Sequence, residues 1–335
     1  MPYNSIATRA TPGSGPLIPE EVQREIVQSI EEKSAALQLM PHVRMKRAQQ
    51  RIPVMSQLPI AYWVAGASLD ARDIGMKQTT SLAWDNVYLN AEEMAVIVPI
   101  AKNLLDDMDY DFWEQVRPKV TEAFGVALDE AIFFGVNAPS TFPPSIVSGA
   151  NSAGNLVLAG ASTVDYLDDV NNAMATVEAD GFDVTGFWAR RQVKAKLRGL
   201  RDTTKGLLFL PDTPPSASIN TGSLYGEKVV FSNAGLSGFA TGAANYSMIM
   251  GQWDQSMLAV RDDISMEMFD TGVITDNGSP PVIQYNLLQQ DMVALRVTAR
   301  FAWAIPNPVN RQQPTKASRY PFAVVQQKAS TGGEG

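Results

Sequence analysis

The sequence predicts an α+β fold, and three observations carry the prediction. Apolar residues recur at spacing three to four from Trp113 through Val116, Val120, Phe124 and Leu128 to Ile132, which is the repeat of one helix face. From Val293 to Ile305 every odd position is apolar (Val293, Leu295, Val297, Ala299, Phe301, Trp303, Ile305), while Arg296, Thr298 and Arg300 hold even positions, the period of a long strand with one buried face. The composition, 335 residues with 45% hydrophobic and 19% charged side chains, is that of an ordered chain with a large core, long enough for about two domains.

The elements follow in order. Residues 1–17 are rich in Ser, Thr, Gly and Pro and predict an extended arm. Pro19, Glu20 and Glu21 then open an amphipathic helix of about 20 residues whose narrow stripe is Val22, Ile26 and Ile30. A stripe this narrow fits docking on its own domain or on a neighbouring subunit. From Arg51 the chain turns extended, passes a polar tip near Gly75 and returns through Thr79 to Ala101, predicting a long two-stranded hairpin. Pro53 and Pro59 cannot donate ladder hydrogen bonds and place the first strand on an edge. Tyr62, Trp63, Trp84 and Tyr88 lie on this hairpin; they fill a local core or meet another chain, and they are the candidate inter-subunit contact residues.

The run Asp106, Asp107, Asp109, Asp111 precedes the long helix, a girder of about 35 Å containing Pro118. Ala131 to Val164 carries no charge and includes Pro139, Pro143 and Pro144, predicting loop and short strand. Thr163 to Glu178 reads as a second helix with Thr163 as N-cap. Arg190, Arg191, Lys194, Lys196, Arg198, Arg201 and Lys205 make the most basic segment, a solvated helix face or one that pairs with acids across an interface. Short apolar runs between Leu207 and Asp270 predict several strands, and PFAVV after Pro306 and Pro308 predicts a last short one.

The same residues exclude most chemistry. With 27 Lys and Arg against 35 Asp and Glu, the formal charge of -8 disfavours a dedicated nucleic-acid binder. No cysteine means no disulfide, thiol nucleophile, thiolate zinc site or iron–sulfur ligation. The single histidine, His42, sits beside Pro41 and the basic Arg44, Lys46 and Arg47, and reads as a surface residue. Asp107, Asp109 and Asp111 copy the opening of a calcium loop, but Phe112 stands where the turn needs Gly and Pro118 where the bidentate Glu belongs. The cluster therefore reads as charge at the N-terminus of the long helix, and the adjacent Asp106 and Asp107 do not form an acid/base pair. No stretch has the apolar length of a membrane span or signal peptide. The expectation is a protein that is not an enzyme, with no catalytic residue, no cofactor, no metal and no membrane partner.

The order of elements, with the segments AYWVAGA, MAVIVPIAKNLLDDMDYDFWEQVRPKVTEAFGVALDEAIFFG and QQDMVALRVTARFAWAIPNP, resembles the major capsid proteins of tailed phages from Pro19 to Phe322. The resemblance implies the Hong Kong 97 capsid fold: N-terminal arm and helix 1–51, extended β-hairpin loop 52–90, peripheral domain 91–162 and 291–335 with spine helix 111–134, and axial domain 163–290. It implies a structural role in the virion, in which copies join as pentamers and hexamers into an icosahedral shell that packages double-stranded DNA. Portal, scaffolding or decoration proteins are the further partners it implies, with assembly in the host bacterial cytoplasm. Some relatives carry a long N-terminal scaffolding segment; with about 50 residues before the loop here, the expectation is assembly with a separate scaffold or none. Some cross-link a loop lysine to an asparagine. Lys77, Asn307 and Asn310 are the nearest equivalents, but no accompanying acid matches, so that chemistry is not carried over. Three other readings compete: an encapsulin-like compartment of the same fold, an enzyme built on carboxylates alone, and a carbohydrate-binding module stacking sugars on Trp63 and Trp84.

Overall fold

The computed structural model describes residues 34–61, 79–107, 112–160, 166–199, 221–232, 246–276 and 278–327. Most of the expected N-terminal helix, the hairpin tip with Tyr62, Trp63 and Lys77, and Asp109, Asp111 and Thr163 lie outside these residues.

Strand β13 (Met292–Ala304) is the strand that the alternation predicts, and it organises a four-stranded sheet. It pairs antiparallel with β4 (Glu92–Ala101) on one side and β10 (Met257–Phe269) on the other, and β1 (His42–Arg44) adds parallel to β10. Leu295, Val297, Ala299, Phe301 and Trp303 are buried on one face; Arg296 and Arg300 occupy the other. Beyond Arg300 the prediction of one buried face fails, because Ala302 and Ala304 are buried too, under the base of the hairpin. The separate short strands expected near Asp262 are one thirteen-residue strand. Register shifts at Val260/Asp262 and Asp262/Ser265 break its period and hide its length.

Helix α3 (Phe112–Phe134) lies on the apolar face of this sheet and runs through Pro118. Its spacing-four stripe of Val120, Phe124, Leu128 and Ile132 packs with Leu295, Val297 and Phe301 in the first core. The end of α3 carries that core onto a second sheet. Phe133 sits 5.3 Å from the Trp188 ring and 6.0 Å from Trp253, which in turn meets Phe322 at 5.0 Å.

The second sheet runs β5 (Leu156–Ala159), β14 (Phe322–Gln327), β9 (Tyr246–Gly251), β6 (Gly186–Arg190), β8 (Glu227–Ser232), β7 (Thr221–Leu224). Every residue of β6 is buried because both sheet faces are covered. Trp188 points to the first core, while Phe187 and Ala189 join α5 (Tyr166–Ala179) and α6 (Val193–Gly199) in the second. The two sheets interleave along the chain. β5 and β14 belong with β6 and β9, whereas β10 belongs with β13. These pairings are non-local, and local pattern does not encode them.

Within the uncharged connection, read as loop and short strand, stands a helix, α4 (Ile146–Ala153). Ser145 caps it by accepting the Ser148 N–H, and Gly154 ends it at φ 89°. Ahead of α3 is a separate short helix, α2 (Lys102–Asp107). Asp106 and Asp107 thus end α2 rather than opening the long helix, which corrects half of the expected acidic cap. Where the described chain begins, α1 (Ala35–Leu39) is fixed to α3 by one buried carboxylate. Asp129 accepts from Ser34 Oγ at 2.6 Å, Ala35 N at 2.7 Å and Ala36 N at 3.0 Å.

Candidate functional site

The hairpin is formed by β2 (Gln49–Gln57) and β3 (Ala83–Asn90), paired antiparallel from Gln49↔Asn90 to Gln57↔Ala83. A lone two-stranded ribbon is marginal in water. This one rests its inner face, Leu89 with Ile52 and Val87, on Met45, Ala259, Ala302 and Ala304. Period-two alternation sends the next residues outward: Trp84 stands opposite Met55, Asn86 opposite Pro53 and Tyr88 opposite Arg51. Trp84 is 60% exposed and Tyr88 50%. The two rings share one face about 13 Å apart, four strand residues. Of the four aromatics singled out from sequence, these two lie together on the outward face; Tyr62 and Trp63 lie outside the described residues.

The middle of the hairpin touches the segment between β13 and β14. Val309 N–H donates to Met55 O at 3.2 Å, Arg311 to Pro59 O at 3.2 Å, and Lys316 Nζ pairs with Asp85 at 2.6 Å. The Lys316 ammonium, followed by the Asn86 N–H, holds the Asp85 carboxyl below its ordinary range.

Sequence reading missed a second projecting ribbon, β11 (Val273–Thr275) paired with β12 (Ile283–Asn286). Its tip is closed by Asp276, whose Oδ1 accepts from Val282 N at 2.7 Å and Gly278 N at 3.2 Å. Around it Met268, Val273, Val282, Ile283 and Leu288 are all more than half exposed, Leu288 at 75%. The signal was present in the apolar run Val282-Ile283, Tyr285, Leu287-Leu288, but strands of three and four residues flanked by Gly272, Pro280 and Pro281 fall below any usable period.

Of the basic segment, Arg201, Lys205 and the Arg198 side chain lie outside the described residues, and the remainder is only partly a solvated face. Arg190 ends β6 and is buried, donating from Nε to Tyr246 O at 2.6 Å, with its guanidinium 5.9 Å from the Phe134 ring. Burial pulls its pKa down and Glu130 acts against that. Lys194 lies over Phe231 at 5.2 Å and Lys196 over Tyr166 at 5.6 Å. His42 is exposed at the start of β1. Among the described residues no group of three or more His, Asp or Glu side chains converges as metal ligands would. Asn307 and Asn310 are engaged in the chain's own bonds: Asn307 accepts from Arg319 Nε at 3.0 Å, and Asn310 donates to Asp180 O at 2.6 Å.

A long helix on a largely antiparallel sheet, a mixed second sheet sharing its core, and projecting ribbons with outward apolar side chains define a structural subunit of the Hong Kong 97 capsid type. Comparison with known proteins makes this specific. The model of the phage capsid family matches residues 14–309, and the chain belongs to that family. It is 29% identical over 285 residues to the major capsid protein of Staphylococcus phage 80alpha, covering 84% of this chain and 79% of that one. Among solved structures it is similar to one from Microbacterium phage Oxtober96, with 32% identity, a TM-score of 0.76, and coverage of 93% of this chain and 97% of the other. A structure from Mycobacterium phage Bobi matches with 27% identity and a TM-score of 0.75, over 94% and 97%. The protein is a major capsid protein of the tailed-phage type, a structural component of the virion. These comparisons lend no support to the encapsulin-like alternative.

Proposed function

We propose that copies of this chain join as pentamers and hexamers into a closed icosahedral shell around double-stranded DNA, assembled in the host bacterial cytoplasm. The four-stranded sheet with α3 serves as the peripheral domain, and the sheet containing β6, β9 and β14 as the axial domain at the five- and six-fold centres. Portal, scaffolding or decoration proteins are further partners, and the chain itself catalyses nothing. The observation that carries the reading is the outward face of the β2–β3 hairpin. Trp84 and Tyr88 extend into solvent from a ribbon whose other face is already buried, so a second copy is the surface that completes them. Each ring buried in such a contact contributes about 1.5–3 kcal/mol. Repetition around a ring of subunits makes the contact heterologous and collectively strong. The test is the full chain on a sizing column with light scattering, imaged by negative stain. Rings or closed shells are the expected result; a monomer stable at all concentrations overturns the reading.

A further inference from the structure

We infer that residues 307–319 form a mount that fixes the direction of the β2–β3 hairpin relative to both sheets, with Arg319 and Lys316 as its positioning residues. The inference rests on the reading of the hairpin as an assembly arm.

The segment leaves β13 at Ala304 and enters β14 at Phe322, so it is the covalent bridge from one sheet to the other. Its own shape is closed by one side chain. Arg319, 2% exposed, donates from Nε to Asn307 Oδ1 at 3.0 Å, from one terminal nitrogen to Gln313 O at 2.7 Å and Pro314 O at 3.1 Å, and from the other to Asn307 O at 3.1 Å. Asn307 returns a bond to Arg319 O at 2.8 Å, so the two ends of the loop are clasped together. The planar fork of a guanidinium reaches all these acceptors at once, which a lysine ammonium cannot do.

The clasped loop is seated on the second core. Asn310 Nδ2 donates to Asp180 O at 2.6 Å and Gln312 Nε2 to Glu178 O at 3.0 Å, at the C-terminal end of α5. Gly181, at φ 79°, lets Asn310 approach closely: a Cβ there would lie 2.9 Å from Asn310 Nδ2. On its other side the loop holds the hairpin at Met55, Pro59 and Asp85, away from the base, where Leu89 is packed. The hairpin is thus referenced to the four-stranded sheet through its base and to the six-stranded sheet through the loop. The contacts at the base are apolar and buried, whereas those at the loop are few and polar: one backbone bond between the half-buried Val309 and Met55, and the exposed contacts of Arg311 and Lys316. Loss of the loop contacts therefore frees the hairpin's direction while its base stays packed at Leu89.

The test is hydrogen exchange by mass spectrometry on the full chain, with particle yield measured in parallel. Lys316→Asp is expected to raise exchange several-fold in the Met55–Gln57 region while β9 and β14 stay protected. The double variant Lys316→Asp with Asp85→Lys is expected to restore it. Arg319→Lys is expected to raise exchange across 307–316 and in the hairpin together. Unchanged hairpin exchange in Lys316→Asp, or failure of the swapped pair to rescue it, overturns the mount. If the exchange pattern appears and rescue succeeds while every variant assembles at the parental yield, the mount stands and the reading of the hairpin as an assembly arm fails.

Discussion

The hairpin β2–β3 and the ribbon β11–β12 are both two-stranded antiparallel sheets projecting from the same four-stranded sheet, and they solve the marginal stability of such a unit differently. The hairpin buries one face through Leu89, Ile52 and Val87 and leaves Trp84 and Tyr88 outward. The ribbon spends almost nothing on its own packing. Leu287 is buried and donates its N–H to Gly272 O at 2.9 Å, the Asp276 turn closes the tip, and Val273 and Ile283 face solvent. The difference lies in what each leaves over: the hairpin has one face packed and one that the proposed function assigns to assembly, while the ribbon's exposed aliphatic surface has no packing partner among the described residues. Exposed apolar groups gathered in this way mark contact surfaces rather than core.

The largest expected effect breaks the comparison at the hairpin's outer face. Trp84→Ala with Tyr88→Ala removes about 3–6 kcal/mol of interfacial burial, at least about a hundredfold in subunit association by light scattering. Monomer stability in urea should stay within about 0.5 kcal/mol of the parent; an equal loss in the monomer would show that the rings serve their own chain. Next is the inner face. Leu89→Ala leaves a cavity under the hairpin base and should cost about 2–5 kcal/mol in the same urea titration. On the ribbon, Ile283→Asn with Leu288→Asn should leave the monomer's melting unchanged and weaken association by about tenfold, about 1.4 kcal/mol. Unimpaired association would confine the assembly function to the hairpin. The smallest effect is a control away from both: Ser145→Ala removes the α4 cap and should lower stability by about 1 kcal/mol without changing association.

What the sequence revealed follows the range of the interactions involved. The periods of α3 and β13 are local and strong, and both elements lie within a residue or two of where those periods place them. The hairpin was legible because its prolines and rings bracket a polar tip. Helix α4 was hidden by the prolines around it, although Ser145 and Gly154 supplied an N-cap and a C-terminal stop nine residues apart. The length of β10 was masked by its two bulges, and the sheet to which β14 belongs by the long chain separation from β5 and β9. At the candidate site, Trp84 and Tyr88 could be named because large rings on a thin hairpin have little to bury them. The face they share depends on the register with Met55 and Arg51, which only pairing reveals.

The place of β14 bears on how the protein is made. Residues 322–327 of a 335-residue chain lie between β5 and β9, and Ala323 and Val325 complete the second core. During synthesis the second sheet stays in two pieces, with β5 and the β14-facing edge of β9 unpaired, until β14 itself has been made and released. A nascent subunit thus cannot close its second core, or finish the surface built on it, before this last strand of the sheet arrives, and chain order acts as a clock on folding.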